Sequence, residues 1–182
     1  MPASARPYAV SVAALMRRPG DCRELSLEAV EPDGYGNPLI GVRAGTSVRL
    51  DVRLESLHEG ILASVVAEVV AEGECSRCLD AVRLPVRVEI QELFAYHEDE
   101  AFDSLVADES VDLEPIVRDA VVMALPFQPV CRPDCPGLDP ETGERLADHP
   151  GRAPREALDP RWAALEGFGL EPPAHKTTGD ES

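Results

Sequence analysis

Three stretches of the chain alternate apolar and polar positions with the period of a strand that has one wet face. In the first, Val48, Leu50, Val52 and Leu54 alternate with Arg49, Asp51, Arg53 and Glu55. In the second, Val82, Leu84, Val86, Val88 and Ile90 alternate with Arg83, Pro85, Arg87, Glu89 and Gln91. In the third, Leu25, Leu27 and Ala29 oppose Glu24, Ser26 and Glu28 across residues 23–30. Between the first two, His58-Glu59-Gly60 marks a turn, and residues 61–72 are β-branched and apolar enough for a longer, more buried strand. Sequential strands with short connections are usually neighbours, so an antiparallel meander is expected. Pro85 lacks the N–H of an inner ladder position, which puts that part of its strand at a sheet edge.

The pattern turns helical at residues 112–125. Leu113, Ile116, Val117, Ala120, Val121, Ala124 and Leu125 form an apolar stripe, Asp112 can cap it, Pro115 is tolerated in the first turn, and Pro126 ends it. A short helix is also expected at 11–18 from Val12, Leu15 and Met16, stopped by Pro19-Gly20. Residues 31–38 are dense in turn formers, 96–111 read as a long acidic loop, and 127–140 are proline-rich and irregular. Trp162, Leu165, Phe168 and Leu170 suit a short terminal helix opened by Asp159-Pro160. The expected architecture is α+β: an antiparallel β-meander with a packed helix and two cysteine-containing loops. Its expected extent is a single domain over 11–170, with a mobile N-terminus at 1–10 and a disordered tail at 171–182.

Composition narrows the functional classes. The 182 residues hold 17 Lys+Arg against 34 Asp+Glu, a net charge of −17, which repels the phosphate backbone a nucleic-acid binder has to neutralise. The charge is uneven: residues 1–95 carry 10 basic and 14 acidic side chains, and residues 96–182 carry 7 and 20. No apolar run approaches the roughly 18 residues that cross a bilayer. The first seven residues lack a basic segment followed by an apolar one, so no membrane association and a cytoplasmic location are expected.

Four of the five cysteines form two close pairs, Cys75-Ser76-Arg77-Cys78 and Cys131-Arg132-Pro133-Asp134-Cys135. The first pair falls at the turn between two predicted strands and the second directly after the predicted helix. Two thiolates presented by a tight turn, joined by a second pair, make the tetrahedral set that zinc prefers. Arg77 and Arg132, one inside each pair, would offset the negative charge of a four-thiolate complex. The competing readings are disulfides, a redox C-x-x-C, and cysteines acting as small core hydrophobes. A reducing cytosol disfavours the first, and the second needs a helix N-terminus where this pair has a β-turn. Such a zinc is structural, because four protein ligands leave no open coordination position. Cys22, beside Pro19-Gly20, is expected to be a core residue.

At these residues the chain resembles the YceD family. The resemblance rests on Gly73-Glu74-Cys75-Ser76-Arg77-Cys78-Leu79, a strand ending Glu92-Leu93-Phe94, the acidic loop, Asp112-Leu113-Glu114-Pro115, Leu125-Pro126-Phe127, Cys131 through Leu138, and Asp159 through Leu165. It runs from about Val12 to Leu165. It implies a role in accumulation of the large-subunit ribosomal RNA and thus in ribosome biogenesis. Many members carry further cysteines after the Gly-Leu, where this chain has Asp139 and Thr142 with Gly143 kept. The resemblance therefore leaves open whether this chain lost the metal or uses Asp139 or His149 in their place.

No arrangement of nucleophile, base and open metal stands out, so no active site is assigned and no small-molecule substrate is expected. His58, His97, His149 and His175 all fall in predicted turns, loops or the tail. Arg49, Arg53, Arg83 and Arg87 lie on predicted wet faces, where an uncovered basic surface would contact RNA, but Asp51, Glu55, Glu68, Glu72 and Glu89 interleave with them and favour pairing across strands. Between His97 and Asp119 stand nine acidic residues and one Arg. Glu98, Asp99, Glu100 and Asp103 there form either a solubilising linker or a landing site for a basic partner. The leading expectation is a non-enzymatic ribosome-biogenesis factor that contacts a basic large-subunit ribosomal protein or an assembly intermediate and associates with ribosomal RNA indirectly. The alternatives are a zinc-stabilised interaction or regulatory module unrelated to ribosomes and, third, an RNA-processing enzyme.

Overall fold

The alternating stretches become the long strands of one antiparallel sheet. The computed structural model describes residues 6–97, 103–149, 151 and 161. In chain order its elements are β1 (Ala9–Ser11), β2 (Cys22–Val30), β3 (Tyr35–Gly36), β4 (Ile40–Val42), β5 (Ser47–Ser56), β6 (Gly60–Glu74), β7 (Ala81–Ala95), β8 (Ser104–Leu105), β9 (Ser110–Asp112) and α1 (Glu114–Ala124), followed by a 3-10 turn at Leu146–Asp148. The chain divides into two compact units, Met1–Gly137 and Leu138–Ser182.

In the first unit β2, β5, β6 and β7 lie side by side, each antiparallel to the next. Val48, Leu50, Val52 and Leu54 of β5 are buried while Arg49, Asp51 and Arg53 are exposed, as their alternation requires. β6 is central, with β5 along its first half, the β3–β4 hairpin along its second, and β7 on its other side. A side chain at Gly73 would collide with Leu39 and Ile40, so the missing Cβ lets β4 close on β6 just ahead of Cys75. Pro85 lies on a part of β7 that pairs with no outer strand among the described residues, where β8 pairs only with Phe94 and Ala95. Leu113, Val117, Val121 and Leu125 bury the face of α1 in the same core as β5, β6, Val86 and Val88. The fold class is α+β, mostly antiparallel sheet with one helix. No helix among the described residues is long and apolar enough to cross a membrane.

Several expected local features differ. The spacing at 11–18 makes a single turn, with the amides of Leu15 and Met16 donating to the Val12 carbonyl, and Arg17 at φ 63 ends it. Tyr8 and Val10 are buried and β1 pairs with β9, so the chain is already part of the folded body within the segment expected to be a mobile start. The acidic stretch 96–111 is not one loop. It contains β8, a tight turn with Asp108 and Glu109 at φ 51 and 55, and β9. Strands of two or three residues are too short to show a period. The helix starts at Glu114, yet Asp112 still accepts the Glu114 amide through Oδ1 at 3.1 Å. The expected terminal helix around Trp162, Leu165, Phe168 and Leu170 and the tail 171–182 lie outside the described residues, as do Glu98, Asp99 and Glu100.

A carboxylate lies at the centre of the packing. Glu31, in the stretch read as a turn-rich loop, has no exposed surface. Tyr8 donates its hydroxyl to Glu31 Oε2 at 2.9 Å, and the amides of Asp33 and Gly34 donate to Oε1 at 3.3 and 3.2 Å. Arg118 of α1 brings Nη2 to 3.8 Å from the same Oε1 and 2.6 Å from Glu114, with its guanidinium 5.6 Å from the Tyr35 ring centre. These partners offset the cost of burying the charge. They also tie the N-terminal segment, the β2–β3 connection and α1 together.

Burial and the nearby Glu31 carboxylate push the Tyr35 phenol up to about 12, and burial together with its hydrogen bond to Glu31 raises Tyr8 as well. A raised phenol holds its proton more firmly folded than unfolded. The stability it contributes is therefore complete below about pH 10, where a free tyrosine titrates, and is lost as pH rises beyond that. The melting temperature should fall above about pH 10, and the fall should be shallower in Tyr8→Phe. Thermal denaturation from neutral to strongly alkaline pH checks this, and equal slopes for the two proteins would refute it.

Candidate metal centre

The sequence separates Cys78 from Cys131 by 53 residues, and the fold closes that gap. The Cys75 amide donates to the Asp80 carbonyl at 2.7 Å and the Leu79 amide to the Cys75 carbonyl at 2.9 Å, forming a tight knuckle between β6 and β7. Leu79 closes it at φ 62, a conformation that costs a residue with a Cβ about 1–2 kcal/mol. After α1 ends, the Pro129 carbonyl accepts the Ser76 amide at 2.7 Å and docks the second cysteine segment against the first.

The four sulfurs of Cys75, Cys78, Cys131 and Cys135 then lie within 4.8 Å of one another. Cys75 Sγ and Cys135 Sγ are 3.9 Å apart, and Cys78 Sγ and Cys131 Sγ are 3.7 Å apart. Cys75, Cys78 and Cys135 are buried and Cys131 is at the surface. Burial raises the Cys75 thiol, but hydrogen bonds from the backbone of Cys131, Arg77 and Cys78 outweigh it and bring Cys75 down to about 6. The Asp80 backbone lowers Cys78, yet burial and the neighbouring Cys75 and Cys135 thiols push it up to about 12. One thiolate thus forms readily and the next resists. A metal held by these four sulfurs would displace the remaining thiol protons. The group could hold a metal ion.

Arg77 and Arg132 divide the roles expected of them. Arg77 Nη1 reaches the carbonyls of Cys135 at 3.0 Å and Pro133 at 3.3 Å, so it bridges the two cysteine segments as well as bringing charge. Arg132 spends its charge on Asp134 at 3.3 Å. Cys22, expected in the core, is exposed at the start of β2. In the second unit, Asp139 Oδ1 accepts the amides of Glu141 and Thr142 at 2.8 and 3.1 Å, the hydrogen bonding of an Asx turn. His149 is exposed, 3.5 Å from Glu144. The group able to hold a metal among the described residues consists of Cys75, Cys78, Cys131 and Cys135. Asp103 is exposed, and His58 and His97 are exposed at their turns, while His175 lies outside the described residues. On the open face of the sheet, Arg53 pairs with Glu24 and Glu55, Arg83 with Glu72, and Arg87 with Glu68 and Glu89. The sequence reading missed Glu31 altogether, because nothing about a glutamate in a turn-rich stretch signals burial.

Fold and centre together define a small α+β protein whose sheet ends in a four-cysteine group able to hold a metal. A family model described as large ribosomal RNA subunit accumulation protein YceD matches residues 63–169, and the chain belongs to that family. It is 46% identical over 169 residues to the uncharacterized protein Rv2926c of Mycobacterium tuberculosis, covering 88% of this chain and 81% of that one. It is 37% identical over 167 residues to the uncharacterized protein ML1660 of Mycobacterium leprae, covering 87% and 76%. With the uncharacterized protein YlbN of Bacillus subtilis it shares 30% identity over 97 residues, covering 50% and 56%. No solved structure matches the chain. The family is described as an accumulation factor, and its name carries no enzymatic activity.

Proposed function

We propose that this protein is a non-enzymatic factor of large-subunit ribosome assembly in the cytoplasm, held in shape by one structural zinc and acting through contacts with a basic protein. The family description supports the ribosomal role. For the metal, the carrying observation is the pair of sulfur separations. A zinc–sulfur bond of about 2.3 Å in a tetrahedron gives edges of about 3.8 Å, against the 3.9 and 3.7 Å observed. Cys75, Cys78, Cys131 and Cys135 would be the ligands. Bound there, zinc contributes cross-linking and no reaction, because the four sulfurs fill its coordination.

Charge favours a protein partner over bare RNA. The net charge is −17, and three of the four arginines on the sheet's open face are paired with carboxylates. Little uncompensated positive charge remains to meet phosphates. Glu98, Asp99, Glu100 and Asp103 would steer a basic large-subunit protein or assembly intermediate toward the chain and raise its association rate. Ribosomal RNA is then reached indirectly.

Deleting the gene should lower mature large-subunit ribosomal RNA or raise its precursors while sparing the small subunit's. Quantifying both RNAs and the subunit profiles in deletion and complemented strains tests this. Unchanged large-subunit RNA in a strain without a second copy would overturn the proposal.

A further inference from the structure

β2 is an open edge of the main sheet. It pairs with β5 on one side, and among the described residues no strand pairs with it on the other. Its nine residues include no proline, so the backbone N–H and C=O groups of alternate residues point away from β5 as a template for one more extended chain. The opposite edge carries Pro85 and is joined at one end by β8.

The side chains of β2 specify what would fit. Leu25 and Leu27 lean toward the core yet are only half-buried, so part of each apolar surface is left at the edge. On the other face Glu24, Ser26 and Glu28 are exposed. Glu24 shares Arg53 with Glu55, and Glu28 forms no ion pair among the described residues. A second copy of the chain is a poor occupant: antiparallel pairing centred on Ser26 would set Glu24 opposite Glu28 twice, and like charges directly opposite destabilise a ladder. A strand alternating cations with apolar residues does the reverse, meeting Glu24 and Glu28 on one face and covering Leu25 and Leu27 on the other. The net charge of −17 draws such a strand in.

We propose that β2 receives an added β-strand from an extended segment of a basic protein in which Lys or Arg alternates with apolar residues. This deepens the assembly-factor reading, on which it rests, by naming the surface that takes the basic partner.

The test uses the full chain and a synthetic nine-residue peptide alternating lysine and valine, with a control of the same composition whose lysines and valines form two blocks. Bound peptide should slow hydrogen exchange at amides within residues 22–30 by about tenfold or more and leave those of β7 unchanged. Changing Glu24→Lys and Glu28→Lys together should weaken binding by about tenfold. Glu28→Gln, which touches no ion pair, should weaken it by a smaller factor and guards against misfolding of the double variant. Binding that leaves β2 exchange unaltered, equal binding of the block control, or a dimer that protects β2 without peptide would overturn the proposal. The biogenesis reading fails on ribosomal RNA levels in the deletion strain, so the two failures are distinguishable.

Discussion

Cys75→Ser protein should contain no stoichiometric zinc and should melt on the order of 10 °C or more below wild type, because metal-binding free energy is folding free energy where the site exists only in the folded chain. The wild type, purified under reducing conditions, should hold about one zinc per chain, as a single four-ligand site requires. The size of the loss follows from what the centre connects. The knuckle at 75–80 and the segment at 129–135 are joined by the Ser76 amide, by Arg77 on the Pro133 and Cys135 carbonyls, and by the four sulfurs. With one ligand gone, the three remaining sulfurs could no longer complete a four-thiolate site, and the cross-link a metal would make between the two segments would be lost. Cys78→Ser should behave alike. Cys22→Ser, at an exposed position outside the group, should change little. Elemental analysis and thermal melts of the three variants decide the matter, and wild-type protein free of zinc without exposure to chelator would sink the metal reading.

Glu31→Ala should cost about 3 kcal/mol, since the Tyr8 hydroxyl and two backbone amides lose their acceptor in a buried place and Arg118 loses one of its two carboxylates. Urea unfolding should show the midpoint falling with the slope unchanged. Glu31→Gln keeps the volume and an acceptor oxygen for the amides, so it should cost less. The effect should not depend on the metal, since Glu31 joins Tyr8, the turn at Asp33-Gly34 and α1 and no part of the cysteine group. A Glu31→Ala midpoint indistinguishable from wild type would mean that the network around Tyr8 and Arg118 rearranges at no cost.

The long strands and the helix were legible because a sheet with one wet face and a helix with one buried stripe each impose a period on the residues that build them. Val48 to Leu54 and Val82 to Ile90 show the first period, Leu113 to Leu125 the second. Where the element spans little more than one period, the signal fails. Val12, Leu15 and Met16 fit a helix and make one turn, and β1, β8 and β9 are too short to alternate visibly. The cysteines were legible as pairs, since spacing within a pair is local.

By itself, then, the sequence determined the period-2 strands, the α1 stripe, the two cysteine pairs with their spacing, and the net negative charge, because each depends only on neighbours along the chain. Tertiary structure alone decided that the knuckle after β6 meets the segment after α1 to gather four sulfurs, that Glu31 is buried against Tyr8 and Arg118, and that β2 stands at the sheet's edge. Those outcomes depend on which distant residues share a volume. Long-range strand register and helix docking set that, and neither leaves a mark in local periodicity.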